Sequence, residues 1–247
     1  MRGHYLTQHP IPAFLLLAFT LSWPFLLVGF GWFVSEQDIL KRYLFSCTGM
    51  LMVALSAFIT RLLIERKGLS DAGWNPGRLS WYLGALIWLV FMWLGPPVGA
   101  FVFGKLDTKR PFTSGEVTVV ALSLAGFSWL AGFGEEFGWR GYLIPRMLTE
   151  RKRSREVLIL IGLIWGVWHC AVDIGPLFRT IVEGEAGWVS QIGLTLLNCF
   201  QSIAASVALS FIFGALWLKS RSMLLLSFFH GYWIGIRDSV ALLFSFP

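Results

Sequence analysis

Charge is what this sequence lacks most: Asp, Glu, Lys and Arg make up 14% of its 247 residues, against 56% hydrophobic residues. A soluble domain carries about 25% charged residues, so a water-soluble fold is excluded, and the mean hydropathy of +0.67 agrees. Cysteine is scarce too. Cys47, Cys170 and Cys199 each lie in an apolar run without paired spacing, which excludes a disulfide framework and reads as helix packing. There are only four histidines and no His-Glu-x-x-His pattern, so the helical zinc-peptidase motif is missing. The net charge of +6 does not indicate nucleic acid, because Lys and Arg sit in short segments between apolar runs, where they read as topology signals.

What the chain has instead is a series of apolar runs at about residues 11–34, 43–64, 81–104, 117–148, 157–172, 190–218 and 222–246. A bilayer crossing needs ~20 apolar residues, so the expected fold is all-α: a polytopic transmembrane bundle of seven helices, eight if one run is split. It reads as one continuous membrane domain, with 1–115 supplying the first three helices and 116–247 the remainder. The first run is longer than a signal-peptide core and is expected to be retained. Pro24 is expected to kink it, Gly95-Pro96-Pro97 to break the third run, and Pro145 to end or kink the fourth, since a proline frees a carbonyl one turn earlier.

Orientation follows from the cations. The N-terminus and the loops after runs two, four and six, with Arg61, Arg140 and Arg146 of the adjoining runs counted to that side, carry thirteen Lys and Arg, the opposite side six. The positive-inside bias therefore predicts a multi-pass protein of the cell membrane with a cytoplasmic N-terminus and the lipid bilayer as its first partner.

The stretch that departs from apolar character is Gly134-Glu135-Glu136-Phe137-Gly138-Trp139-Arg140. Two carboxylates inside a membrane run are expensive, and their default reading is functional. On a helix Glu136 and Arg140, four apart, share a face and pair, whereas Glu135 is turned by about 100° and has no local partner. One carboxylate held ionised beside a second in a different environment suits acid–base chemistry. Gly134, Gly138 and Gly141 form a stripe that invites close helix approach. The bland alternative is a buried ion cluster fixing helix register, which needs only one of the two carboxylates.

His169 and His230 both lie in apolar runs. Counted from the nearest basic loop at ~1.5 Å per residue, Glu135, His169 and His230 fall roughly 14–21 Å deep, in one layer. Asp173, four after His169, is placed either to orient its imidazole or to stand as a charge at the helix end. Asn198 and Gln201 read as the lining of a polar cavity or, more simply, as interhelical hydrogen-bonding groups, and Arg237-Asp238 as an interfacial pair.

These residues resemble the CPBP intramembrane proteases, the family of CAAX prenyl proteases, bacteriocin-processing and immunity proteins and lysostaphin-resistance-like (Abi) proteins. The resemblance covers about residues 117–240. Its Glu-Glu-x-x-x-Arg motif matches Glu135, Glu136 and Arg140; its aromatic residue four before a His matches Trp165 and His169; its third motif, a His with Asn or Asp four later, matches at His230 but has Ile234 at the second position. The resemblance implies an intramembrane endopeptidase in which Glu135 and His169 activate water and His230 stabilises the oxyanion. It implies a glutamate mechanism with no cofactor required; a divalent metal such as zinc, if present, would fall to Glu135, His169 and His230. The expected substrates are peptides, lipidated peptides or membrane-protein termini, cut near the cytoplasmic membrane face. A non-catalytic immunity or scaffold protein of the same fold is the alternative that Ile234 favours, and a proton-coupled transporter using Glu135 is a third reading.

Overall fold

The computed structural model describes residues 9–33, 35–104, 107–108, 113–124, 126–150 and 153–245. The first eight residues and positions 151 and 152 of the most basic loop lie outside them.

The chain is a helix bundle. It runs through α1 (Pro10–Trp32), α2 (Ile39–Ile59), α3 (Leu79–Val102), α4 (Ser114–Leu124), α5 (Phe127–Glu136), α6 (Ile144–Glu150), α7 (Ser154–Val182), α8 (Trp188–Ser220) and α9 (Met223–Leu243). Two-residue strands, Asp107–Thr108 and Phe244–Ser245, pair antiparallel. Helices are the expected solution where no water reaches the backbone, since each satisfies its own N–H and C=O groups. Five of them (α1, α2 with its extension, α3, α7 and α8) are long and apolar enough to cross a bilayer, and α4 with the α5–α6 segment makes a sixth candidate span, bent by 61°. The last helix, α9, is not among these; it carries His230, Arg237 and Asp238. The bend falls at Gly126, whose φ of 94° lies in the left-handed region open to glycine. Thr113 and Glu116 form a reciprocal capping box at the start of α4, each side chain bonding the other's backbone N–H.

The break expected in α3 is absent, the helix continuing through Pro96 and Pro97, and α1 runs on through Pro24 as one helix. In α3 most of the surface faces outward, with Phe91 at 74% and Phe101 at 72% exposure. Its inner side stacks on α9, Trp88 and Trp93 lying 5.5 and 5.2 Å from Trp233.

The end expected at Pro145 is absent, since α6 carries it at its second position and runs on to Glu150; the irregularity lies just before it. Between α5 and α6, residues Phe137–Leu143 form a π-helical segment, and α2 likewise ends in a π-helical turn, Thr60–Ile64. Pro145 has no N–H to give the Gly141 carbonyl. That carbonyl accepts instead from Arg61 Nη2 at 2.5 Å, so the guanidinium of one π segment closes the other.

Small residues set the helix crossings. A Cβ on Gly134 would lie 2.6 Å from the Met50 carbonyl of α2, one on Gly231 2.4 Å from Trp129 Cα, and one on Gly166 2.5 Å from Ile203 Cα. Backbones therefore touch where α5 meets α2, where α9 meets α5 and where α7 meets α8. In contrast, α8 barely meets α9.

Candidate active site

The clamped helix α5 presents its two carboxylates in different directions. Glu136 is wholly buried, and its Oε1 accepts from Arg140 Nη1 at 2.8 Å and from His230 Nδ1 at 2.7 Å. Glu135, 2% exposed, accepts from the Trp165 indole N–H at 2.5 Å. The i,i+4 pairing expected for Glu136 is thus present, and the partner Glu135 lacks locally comes from α7, thirty residues on.

Arg140 is also fully buried, lying 4.4 Å from the Trp165 ring centroid and 4.8 Å from that of Phe213. Among the described residues its Nε and Nη2, and Glu136 Oε2, have no hydrogen-bond partner. The two flat rings take up the guanidinium face by cation–π contact, which is strongest when desolvated.

The histidines are oriented by groups that can only accept. His169 Nδ1 lies 3.0 Å from the Trp165 carbonyl, so Nδ1 carries the proton and Nε2 of the neutral ring keeps its lone pair. His230 Nδ1 gives its proton to Glu136, and its Nε2 carries an N–H only when the ring is an imidazolium. Both imidazoles pack edge-on against Trp165, at 5.2 and 5.7 Å.

Glu135, Trp165, His169 and His230 line one cavity of about 630 Å³, with Glu136 and Arg140 packed behind it. The cavity continues past Ile234, Arg237 and Asp238 of α9 to Arg42 and Ile39 at the start of α2 and Phe30 near the end of α1. That end of the bundle is opposite the basic loops. Toward the basic loops Arg61, Trp139, Tyr142, Trp217 and Met223 fill the interior, each at most 1% exposed. An approach from the basic-loop side, as the depth argument suggested, meets this packed layer; the lining leads the other way.

Three further expectations are corrected. Asp173 does not orient His169: its Oδ2 accepts from Ser202, and the Trp165 carbonyl holds the ring. Asn198 does not line the cavity, whereas Ile234 does, so the donor missing from the third motif is not supplied from α8 by that residue. The ligand atoms of Glu135, His169 and His230 are not gathered at metal spacing; among the described residues the group that lies within 4.8 Å is Cys170, Asp173 and Cys199, joining α7 to α8. Glu135 and His230 are committed to Trp165 and Glu136, so this trio does not fit an ion as arranged.

Residues that sequence patterns did not single out complete the surroundings. Tyr43 reaches from α2 to Ser128 of α5 at 2.9 Å on the cavity wall. Arg61 also binds Asp71, and Arg146 bridges Glu65 at 2.6 Å and Asp71 at 2.8 Å, locking the 65–78 loop onto α6. Arg61 lay within the second apolar run, and a charge at that position was the signal available.

Residues 117–236 match the family model described as type II CAAX prenyl endopeptidase Rce1-like. Comparison with curated proteins and with solved structures gives no match.

Proposed function

From the likeness of residues 117–236 to the CAAX prenyl endopeptidases we propose that this chain is a CAAX-type (CPBP) intramembrane protease that hydrolyses a peptide bond inside the membrane at the Glu135/His169 layer. The observation that carries the reading is the pair of carboxylates with separate partners at one cavity: Glu135 lining it and bonded to Trp165, Glu136 behind it and bonded to Arg140 and His230.

In this reading a water sits between the free oxygen of Glu135 and Nε2 of His169. Glu135 takes its proton as the oxygen attacks the carbonyl carbon, and the resulting oxyanion is met by His230 Nε2–H. Glu136 supports the imidazolium from the far side, and Arg140 balances Glu136. Collapse of the tetrahedral intermediate breaks the C–N bond, with Glu135 returning the proton to the leaving nitrogen. Every proton starts and ends on a named group, and no step runs through a metal. Ile234, one turn beyond His230, leaves the oxyanion with a single side-chain donor.

Substrates of this site are peptides, lipidated peptides or membrane-protein termini. They enter from the end lined by Arg42 and Arg237, where the thin α8–α9 contact leaves a lateral way in from lipid. With the N-terminus cytoplasmic, that end is the non-cytoplasmic one. In a background lacking the three native cysteines, Ser35→Cys should react with a membrane-impermeant maleimide from outside intact cells, while Gly68→Cys should not. The reverse pattern would invert the chain and turn the cavity mouth to the cytoplasm.

The deciding experiment is quantitative terminal proteomics on membranes from cells expressing the wild type or Glu135→Gln at matched abundance. New termini that vanish in the variant establish proteolysis. Identical termini across good membrane coverage would move the protein to the immunity or scaffold reading.

A further inference from the structure

Asp173 is an intramembrane carboxylate for which the proposed reaction has no use. It lies nineteen residues after the start of α7, and a carboxylate inside an apolar helix is unfavourable unless something compensates it. Its hydrogen bond is with the Ser202 hydroxyl at 2.8 Å, and among the described residues no Lys or Arg pairs with it. His169, one turn before it, holds a neutral ring in the site described above. What stands beside Asp173 is sulfur: one ligand atom each from Cys170, Asp173 and Cys199 lie within 4.8 Å of one another.

The two helices hold these groups in register. A Cβ on Gly162 would lie 2.6 Å from Val207 Cα, and one on Gly166 2.5 Å from Ile203 Cα. Four residues forward on α7 therefore match four back on α8, and the next pair in that series is Cys170 and Cys199. The glycines fix the crossing, the crossing brings the thiols together, and both thiols are free. Cys170 donates to the Gly166 carbonyl at 3.4 Å, a weak bond that a ligand can displace.

Donors around one zinc ion, at ~2.0–2.3 Å from it, stand roughly 3.5–3.8 Å apart. Small side-chain rotations close the cluster to that spacing while the backbones stay in place. On binding, the two thiols release their protons, and two thiolates, a carboxylate and a divalent ion sum to the single negative charge that Asp173 carried alone. The membrane interior gains no net charge. Ser202 supplies the outer hydrogen bond that orients a ligating carboxylate, and it also lines the cavity, which gives an ion its way in. Thiolate donors select zinc-class ions over magnesium or calcium.

We propose that Cys170, Asp173 and Cys199 form a binding site for a thiophilic divalent cation of the zinc class, which ties α7 to α8 and is separate from the Glu135/His169 layer. A water completes its fourth position.

The test titrates the whole chain, purified in detergent with its thiols reduced, with Co²⁺ and then displaces the Co²⁺ with Zn²⁺. One Co²⁺ per chain should give a thiolate-to-metal charge-transfer band and d–d bands of tetrahedral intensity, both erased by Zn²⁺. Ser202→Ala should weaken binding about 10- to 100-fold, the usual effect of removing an outer partner, and Cys170→Ser, Cys199→Ser and Asp173→Asn by more than about 100-fold each. Cys47→Ser and Glu135→Gln should bind as the wild type does. Saturating Zn²⁺ should also raise the melting temperature of the wild type and leave that of Cys170→Ser unchanged, a comparison that holds even where a variant is less stable. Absence of the charge-transfer band from the wild type, or its persistence when Cys170 and Cys199 are both replaced by Ser, overturns the assignment. Loss of the band in Glu135→Gln overturns it too, by placing the ion in the catalytic layer.

Discussion

Two fully buried arginines meet at the same π segment, Arg140 within it and Arg61 reaching it from the end of α2, and are used in opposite ways. Arg61 spends its Nη groups on the Gly141 carbonyl, the Gly68 carbonyl and Asp71. Arg140 makes one ion pair, leaves Nε and Nη2 without partners and lies against aromatic faces. The first cluster lies in the packed end of the bundle and the second backs onto the cavity. Both leave Nε without a partner, but buried charge with both Nη groups bonded holds a fold together, whereas buried charge that also leaves an Nη unbonded beside a cavity remains available to a reaction. The difference separates what anchors the loop 65–78 from what stands behind the cavity.

The comparison breaks first at Glu135. Glu135→Gln should reduce cleavage by about 10²–10⁴-fold, the usual worth of a positioned acid–base group, with the thermal unfolding of detergent-solubilised protein unchanged. A loss of stability in step with activity would return Glu135 to a structural role.

Ile234→Asn sharpens it in the other direction. If the oxyanion lacks a second donor, restoring one should raise the rate by up to about 10²-fold, read as kcat on a substrate identified by the terminal proteomics. No gain would mean that another group already fills the position.

Arg61→Ala should leave the cavity chemistry in place and cost stability instead. Removing one member of a buried pair costs ~3–5 kcal/mol; Asp71 is half exposed, so the lower end applies. Thermal unfolding and faster proteolysis within 65–78 are the measurements. Unchanged stability would show that the Gly141 carbonyl does not need its donor.

The smallest effect belongs to Asp71. Burial pushes its carboxyl up, but hydrogen bonds and charge from Arg61 and Arg146 outweigh this and hold it below the ordinary carboxylate value. A folded-state pKa below the unfolded one contributes stability above the unfolded value of about 3.9 and loses it as the pH falls through the folded value. Asp71→Asn should remove that acid-side step, visible as a shallower decline in melting temperature below about pH 4. A decline of the same slope would assign the step to other carboxylates.

Much of this was legible in the sequence for a simple reason. Membrane helices announce themselves through composition, because a bilayer demands apolar side chains and leaves few exceptions. Glu135, Glu136 and Arg140 stood out against that background, and the i,i+4 spacing of the last two was enough to anticipate their bond. His169 and His230 could be brought to the same depth by counting residues. Asp173 misled because its spacing to His169 fits a helix-face contact, while Ser202 of α8, twenty-nine residues away, was the nearer partner. Pro96 and Pro97 misled because local propensity predicts a break that α3 does not make.

Composition, period and local spacing thus carried the all-α membrane architecture and made the buried charges stand out, while the motif residues carried the family resemblance. Only the tertiary structure decided that Trp165 serves Glu135, that Arg61 closes the carbonyl freed by Pro145, and that the cavity leads away from the basic loops toward Arg42. Those contacts join segments up to a hundred or so residues apart, and their partners are chosen by which glycines let which helices cross, a matter of packing that no single stretch of chain records.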